Sequence, residues 1–423
     1  MKKIKIDVVA LPLSGHLYPT MNLLAPLLQN PQYEIRLFTG PQKKAVAEAV
    51  GFQVLPILEG HVKEFEKAAN NKEQLGIFSA YRQLSASLDL INLVSDQLIQ
   101  EWTNHRPDIV IVDFITLSGG LVANQLGIPW ITTMATQFVL ETTDGPPCFI
   151  GGMGSPKNFW QATIQFLGRK ATRIVKRIVS FSFRNRLKRY KFKLYNQLGH
   201  ETIYSRYSIL AIGMKELELK KGFPDHFLWV GPSGASVEAG EDYPLDLSFF
   251  PNRKKVLVTC GTQLAWAKEN LIYQAKQLAK AHPDCHFFVT RGVGGEAFQC
   301  ENLMENLSVV SYLPYKEYIP KMNYVIHHGG AGIFYQCIIY GKPALILPHD
   351  YDQFDYAVRG VEAGVAFTAK RDNSKAIGQS FEELLAKENW PELETLRQAA
   401  QSYHPTEILE NEIHRLLADK EKE

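Results

Sequence analysis

Residues 324–332 read Tyr-Val-Ile-His-His-Gly-Gly-Ala-Gly. Tyr324–His327 is a short run of strand character. It passes directly into a glycine-rich turn that opens a helix near 331–340. Glycines let the backbone approach a ligand closely, and the first turn of a helix offers unpaired N–H groups and positive potential. The stretch therefore reads as a phosphate cradle at the end of a parallel strand. A tight turn with no ligand is the bland alternative.

Outward from this stretch, strands are expected at Lys255–Cys260, His286–Thr290, Ser308–Ser311 and Ala344–Leu347, with helices near 268–281 and 353–363. The first half repeats the rhythm, with strands at Ile4–Leu11, Glu34–Phe38, Gln53–Pro56, Asp108–Val112 and Trp130–Thr133. Its first helix is expected to begin near Pro19, and a long one covers Ser79–His105. Such alternation implies two doubly wound parallel-sheet α/β domains. Residues 1–230 form the first and 253–405 the second. A Gly/Pro/Ser-rich linker spans 231–252, and a terminal helix, 406–423, can cross back to the first domain.

Composition narrows the function. Charged residues make up 21% and the formal net charge is +2, so neither disorder nor a nucleic-acid partner is implied. Five scattered cysteines without a C-x-x-C pair argue against a disulfide framework or structural zinc and fit a cytoplasmic protein. No run is long and apolar enough for a membrane span. Neither domain shows G-x-G-x-x-G after its first strand; Gly292-Val293-Gly294-Gly295 follows a second strand instead. A nicotinamide or flavin cofactor is therefore not expected.

In a doubly wound sheet of order 3-2-1-4-5, ligands gather where strands 1 and 4 part. In the first domain those strands run into His16 and Asp113, which makes a general base with a supporting carboxylate. In the second they run into Gly261-Thr262 and the 327–332 cradle. On the same rim lies Pro348-His349-Asp350-Tyr351-Asp352-Gln353, whose acids and amide suit sugar hydroxyls. Asp350 and Asp352 also form D-x-D, which can hold a divalent metal, although a cradle of backbone amides needs none.

Together these motifs resemble family 1 glycosyltransferases, the UDP-glycosyltransferase superfamily of GT-B fold, with the bacterial macrolide-type subgroup most similar. The likeness covers most of the chain. It is densest over 309–365, where S-Y-L-P-Y, V-I-H-H-G-G-A-G, Y-G-K-P-A-L-I-L-P and D-Y-D-Q-F-D-Y-A-V-R-G follow in order, and it includes S-G-H-L-Y-P and V-D-F at 112–114. The resemblance implies a hexose moved from a nucleoside-diphosphate sugar, UDP-sugar first, to a hydrophobic acceptor with inversion and no metal. His16 would be the base and Asp113 its partner. Gly15, Gly261, Thr262, Tyr312, His327, Gly329, Gly330, Ala331 and Gly332 would face the donor nucleotide, and Asp352 and Gln353 its sugar. The chain departs from the family pattern at Tyr335-Gln336, where a ribose-binding Glu is frequent, at Tyr312 for a Trp, and at Tyr356 for an Asn. A GT-B sugar-nucleotide epimerase and a silent homologue that activates a partner transferase are the competing readings.

Arg169–Lys193, RKATRIVKRIVSFSFRNRLKRYKFK, holds eleven Lys or Arg among 25 residues and no acid. It is expected either to rest on an anionic membrane, with Ile178, Phe181 and Phe183 inserting, or to be a solvated helix balanced by acids elsewhere.

Overall fold

Ile4–Val9 (β1) has four successive buried residues at its end, as a strand covered on both faces must. In the computed structural model, which describes residues 3–69, 77–233, 245, 247, 252–262, 264–292, 298–350 and 352–420, β1 is central to its sheet. It pairs in parallel with Tyr33–Thr39 (β2) on one side and Ile109–Asp113 (β4) on the other. Gln53–Pro56 (β3) lies outside β2. Trp130–Met134 (β5), Ile209–Ala211 (β6) and Phe227–Trp229 (β7) extend the other flank, giving the order β3-β2-β1-β4-β5-β6-β7.

The second sheet repeats the plan. Its strands are Lys254–Thr259 (β8), Cys285–Thr290 (β9), Cys300–Met304 (β10), Leu307–Val310 (β11), Tyr324–His327 (β12), Ala344–Ile346 (β13) and Ala366–Thr368 (β14). Their order is β10-β11-β9-β8-β12-β13-β14. All neighbours are parallel except β10, which lies antiparallel to β11 at the edge. The architecture is thus two Rossmann-like sheets, and in each the strand order reverses at a crevice, between β1 and β4 and between β8 and β12.

The first helix begins at Ser14, not near Pro19 as the sequence suggested, and Pro19 lies inside it. A proline there removes one N–H donor, which leaves the Gly15 carbonyl without its helical partner. The linker expected at 231–252 lies mostly outside the described residues. The terminal helix, Pro405–Lys420, packs on the first unit: Leu409, Ile413 and Leu416 join the core that holds Ile6, Leu17 and Met21. Tyr33 donates a hydrogen bond to Glu410 at 3.2 Å.

The two units share a joint of core character, in which Phe138, Met214 and Leu217 of the first pack with Phe334 and Tyr356 of the second. A fully buried ion pair, Arg359 to Glu218 at 2.6 Å, crosses it. The Gln137 amide donates to the Tyr335 hydroxyl at 3.0 Å, and the Tyr356 hydroxyl donates to the Ala135 carbonyl at 3.0 Å. Two of the residues that depart from the family pattern therefore tie the units together.

The basic stretch is not one continuous helix. The helix Phe159–Ser182 ends before Phe183, which is buried at 4% exposure and cannot insert into a membrane as expected. Beyond it, Arg186 pairs with Asp89 at 3.1 Å and Arg189 with Asp96 at 2.8 Å, both acids on the helix Ile77–Asn104.

Candidate functional site

A cleft of about 760 Å³ lies where the two crevices face each other, within the size range that encloses small ligands. On the first unit its wall is the N-terminus of the helix Ser14–Leu24. No side chain caps that terminus, and the His16 N–H there donates to the Leu13 carbonyl at 3.0 Å. Gly15 and His16 line the cleft there, and a Cβ on Gly15 would meet nothing within 4 Å.

Behind His16, at the end of β4, stands Asp113, buried at 1% exposure. Its Oδ1 lies 3.6 Å from His16 Nδ1, and its Oδ2 accepts the Ile115 N–H at 3.3 Å. The pair is an electrostatic contact longer than a hydrogen bond. Burial pushes the His16 pKa down, but the Asp113 carboxylate, joined by Asp352 across the cleft, more than offsets it. The net direction is upward from the ordinary imidazole value. Asp352 itself is pushed up by burial, against the hydrogen bond it accepts from Thr136 and the attraction of His16. That bond, 2.9 Å from Thr136 Oγ1, crosses between the two units.

The opposite wall is the N-terminus of the helix Ala331–Ile339, again without a side-chain cap. Gly330, Ala331 and Gly332 line the cleft, and a Cβ on Gly332 would point into open space. Gly261, Thr262 and Tyr312 line it as well.

His327 does not reach the cleft. It ends β12 in register with Thr259 and Ile346, is fully buried, and its Nδ1 accepts the Gly329 N–H at 3.0 Å. Gly329 also stands behind the wall, at φ +91°, where a side chain would strike the Gln353 carbonyl at 2.9 Å. The residue that faces the ligand space is His328, because the chain leaves the strand there and turns across its end. The His328 ring lies between two glycines: a Cβ at Gly330 would meet its Nε2 at 2.5 Å and one at Gly261 its Cε1 at 3.0 Å. Burial, with His349 nearby, lowers the His328 pKa to about 3, and burial beside His328 lowers His327 to about 3. Both are therefore neutral at working pH, and the positive character of this wall comes from the helix terminus.

Asp352 and Gln353 line the cleft, but each is already engaged. The Gln353 Oε1 accepts the N–H groups of His349 and Asp350 at 2.9 and 3.2 Å and so shapes its own loop. Tyr335 turns away into the joint, whereas its neighbour Gln336 faces the cleft. Sequence reasoning missed Thr136, His328 and Gln336. The doubled histidine was a signal for the second of these, and the strand's last residue set its direction. The first unit's wall also carries an apolar stretch, with Leu58, Phe65, Leu90, Ile91, Val94 and Phe114.

The sequence and the fold both have known relatives. Residues 294–414 match the family described as erythromycin biosynthesis protein CIII-like, C-terminal domain. The chain is 24% identical over 372 residues to the NDP-glycosyltransferase YjiC of Bacillus subtilis (strain 168), covering 86% of this chain and 84% of that protein. The crystal structure of the glycosyltransferase of kitacinnamycin superposes with a TM-score of 0.73 at 18% identity, covering 99% of this chain and 100% of that one. That of the glycosyltransferase VinC in complex with dTDP gives 0.66 at 16% identity, covering 98% and 100%. At such identities the two superpositions establish a shared GT-B fold.

Proposed function

We propose that this chain, a glycosyltransferase similar to those of family 1, transfers a hexose, with inversion, from a nucleoside-diphosphate sugar to a hydroxyl of a hydrophobic acceptor. The observation that carries this reading is the pairing of unlike walls. His16, backed by Asp113, faces an uncapped helix N-terminus flanked by His328 across one cleft.

The acceptor lies against the apolar wall of the first unit, with its hydroxyl at His16. His16 takes the hydroxyl proton as that oxygen attacks the anomeric carbon, and the imidazolium so formed is stabilised by Asp113. The bond to the diphosphate breaks on the opposite face. The open N–H groups of residues 331 and 332, with the helix dipole behind them, take up the growing negative charge. Neutral His328 donates its ring N–H to a diphosphate oxygen without adding charge. Asp352, held by Thr136 and close to His16, faces the sugar hydroxyls, and Gln336 stands where the ribose lies. The nucleotide in VinC is dTDP, which makes thymidine and uridine diphosphates the two donors to compare. No metal is required, because the helix terminus does the work a cation would do.

The test is a screen of hydroxylated hydrophobic acceptors with UDP- and dTDP-sugars, read by mass spectrometry, with and without a strong chelator. Expected is a glycosylated acceptor whose yield the chelator leaves unchanged. Conversion of the donor sugar to an epimer without transfer would overturn the reading in favour of an epimerase. Inertness with every donor, joined to activation of a separate transferase, would make the chain a silent homologue.

A further inference from the structure

The helix Phe159–Ser182 is mounted with its apolar side outward. Trp160, Ile164, Leu167, Ile174, Ile178 and Phe181 recur at spacings of three, four and seven residues, which places them on one face of a helix. All are exposed, from 54% at Ile164 to 73% at Trp160. The face turned to the protein is polar. The Gln165 amide donates to the Gly154 carbonyl at 2.6 Å, and Arg169 donates to the Gly145 carbonyl. Arg173 donates to the Gly199 carbonyl at 2.9 Å, and Lys176 reaches Glu201 at 2.7 Å and Glu141 at 3.1 Å. An amphipathic helix of a globular protein ordinarily hides its apolar stripe. Here the protein satisfies the cations on one face and leaves a contiguous apolar surface outside, the mark of an interaction site.

Charge selects the occupant. Residues 145–200 contain twelve Lys or Arg and no Asp or Glu. The three cations on the inner face are taken by protein acceptors, whereas Lys170 and Arg177 on the helix stay exposed beside the stripe, and Arg184, Lys188 and Lys191 are exposed just beyond the helix end. An apolar stripe bordered by cations matches an anionic lipid surface, where apolar side chains enter the acyl boundary and cations meet headgroup phosphates. A helix of this length, roughly 36 Å at 1.5 Å per residue, can lie flat on such a surface. Among the described residues, no helix is long and apolar enough to cross a membrane. The stripe also adjoins the cleft. A Cβ on Gly168 would touch Pro147 and Ile150, and Phe149 between them is half exposed and lines the cleft mouth.

We propose that this helix docks the protein on an anionic lipid bilayer, its stripe inserted, with the acceptor side of the cleft opening at the bilayer surface. The interaction goes beyond the transfer reading and is measured without donor sugar, so failure of one leaves the other standing.

The experiment sediments the full chain with phosphatidylcholine vesicles that contain or lack phosphatidylglycerol, at low and high salt. Expected is binding to the anionic vesicles, released by salt, with a blue shift of tryptophan emission that the Trp160→Phe variant loses. A triple variant, Leu167→Asp, Ile174→Asp and Ile178→Asp, should weaken binding at least about tenfold, with an unchanged melting temperature because these side chains are exposed. Lys170→Glu with Arg177→Glu should weaken it and flatten the salt dependence. The proposal is overturned if the wild-type chain does not sediment, if neutral and anionic vesicles bind it equally, or if the triple variant binds like wild type. A wild-type dimer that the triple variant dissociates, with no vesicle binding, would assign the stripe to a second copy of the chain.

Discussion

The two sheets reverse their strand order in the same way, yet the crevices they open are chemically unlike. At the end of β1 and β4 stand a histidine and a carboxylate, and the histidine's proton affinity is raised by the acids around it. At the end of β8 and β12 stand glycines and two histidines whose pKa values burial has lowered to about 3. In the proposed mechanism one wall takes a proton, and the other holds negative charge without holding a proton. The topology decides where a ligand sits, and the side chains at the strand ends decide what each wall does to it. The difference also explains why the second wall is rich in glycine. Its ligand-facing groups are backbone N–H groups, and His328 fits between residues 261 and 330 only because neither carries a Cβ.

The contrast breaks most readily at His16. His16→Ala removes the histidine that the first wall presents to the cleft. Transfer should fall by about 10²–10⁴-fold, the usual contribution of a general base. Nucleotide affinity, measured by calorimetry with UDP or dTDP, should stay near wild type because the cradle belongs to the other unit. Wild-type turnover would remove His16 from the mechanism, and a parallel loss of nucleotide affinity would erase the division of labour between the walls.

Gly332→Val tests the other wall. The valine Cβ enters open space, so the fold should persist and the melting temperature should change little. Its methyl groups would occupy the volume in front of the helix N-terminus, where the proposed mechanism puts the diphosphate. Nucleotide affinity should drop on the order of ten- to a hundredfold, the loss expected when one charge-assisted hydrogen bond of about 1.5–3 kcal/mol is blocked. Unchanged affinity would move the cradle elsewhere. Gly330→Val is a poorer probe, since its side chain would displace the His328 ring as well.

Much of this was legible before the structure. Apolar runs that end in glycine or in a titratable residue marked the central strands and their ligand-facing ends. Four outer strands, β6, β7, β10 and β14, were not legible, and three of them have only three residues each. His327 was chosen over His328 because sequence marks where a strand ends but not which of two adjacent side chains turns out of it. The helix Phe159–Ser182 shows the same limit on a larger scale. Its periodicity reveals two faces, but the direction each faces depends on Glu141 and Glu201, which lie outside the helix. The tyrosines at 335 and 356 looked like losses at a binding site. They are bonded to Gln137 and Ala135, partners that only the meeting of the two units supplies.

Asp113→Asn gives the smallest effect and the sharpest comparison. The 3.6 Å separation leaves Asp113 acting on His16 mainly through its charge rather than by fixing the ring with a short hydrogen bond. At about 4 Å such a charge pair is worth between ~1 kcal/mol in water and ~4 kcal/mol where solvent screens poorly. The plateau rate should therefore fall on the order of tenfold, less than for His16→Ala. A base works in its neutral form, so the rate is lost as pH falls through the His16 pKa. Because burial lowers the His16 pKa but Asp113 and Asp352 raise it by more, the acid limb of kcat/KM should lie above the ordinary histidine value. Asp113→Asn removes the main source of the upward push and leaves burial, which lowers the pKa, opposed by Asp352 alone. The acid limb should move to lower pH. Just below the wild-type limb, the variant then retains a larger fraction of its own plateau than the wild type does. His328→Gln on the opposite wall should leave the limb where it is, since that histidine stays neutral throughout the range. A limb that stays in place in Asp113→Asn, or that moves with His328→Gln, would show that the proton-taking and charge-holding walls are not separate.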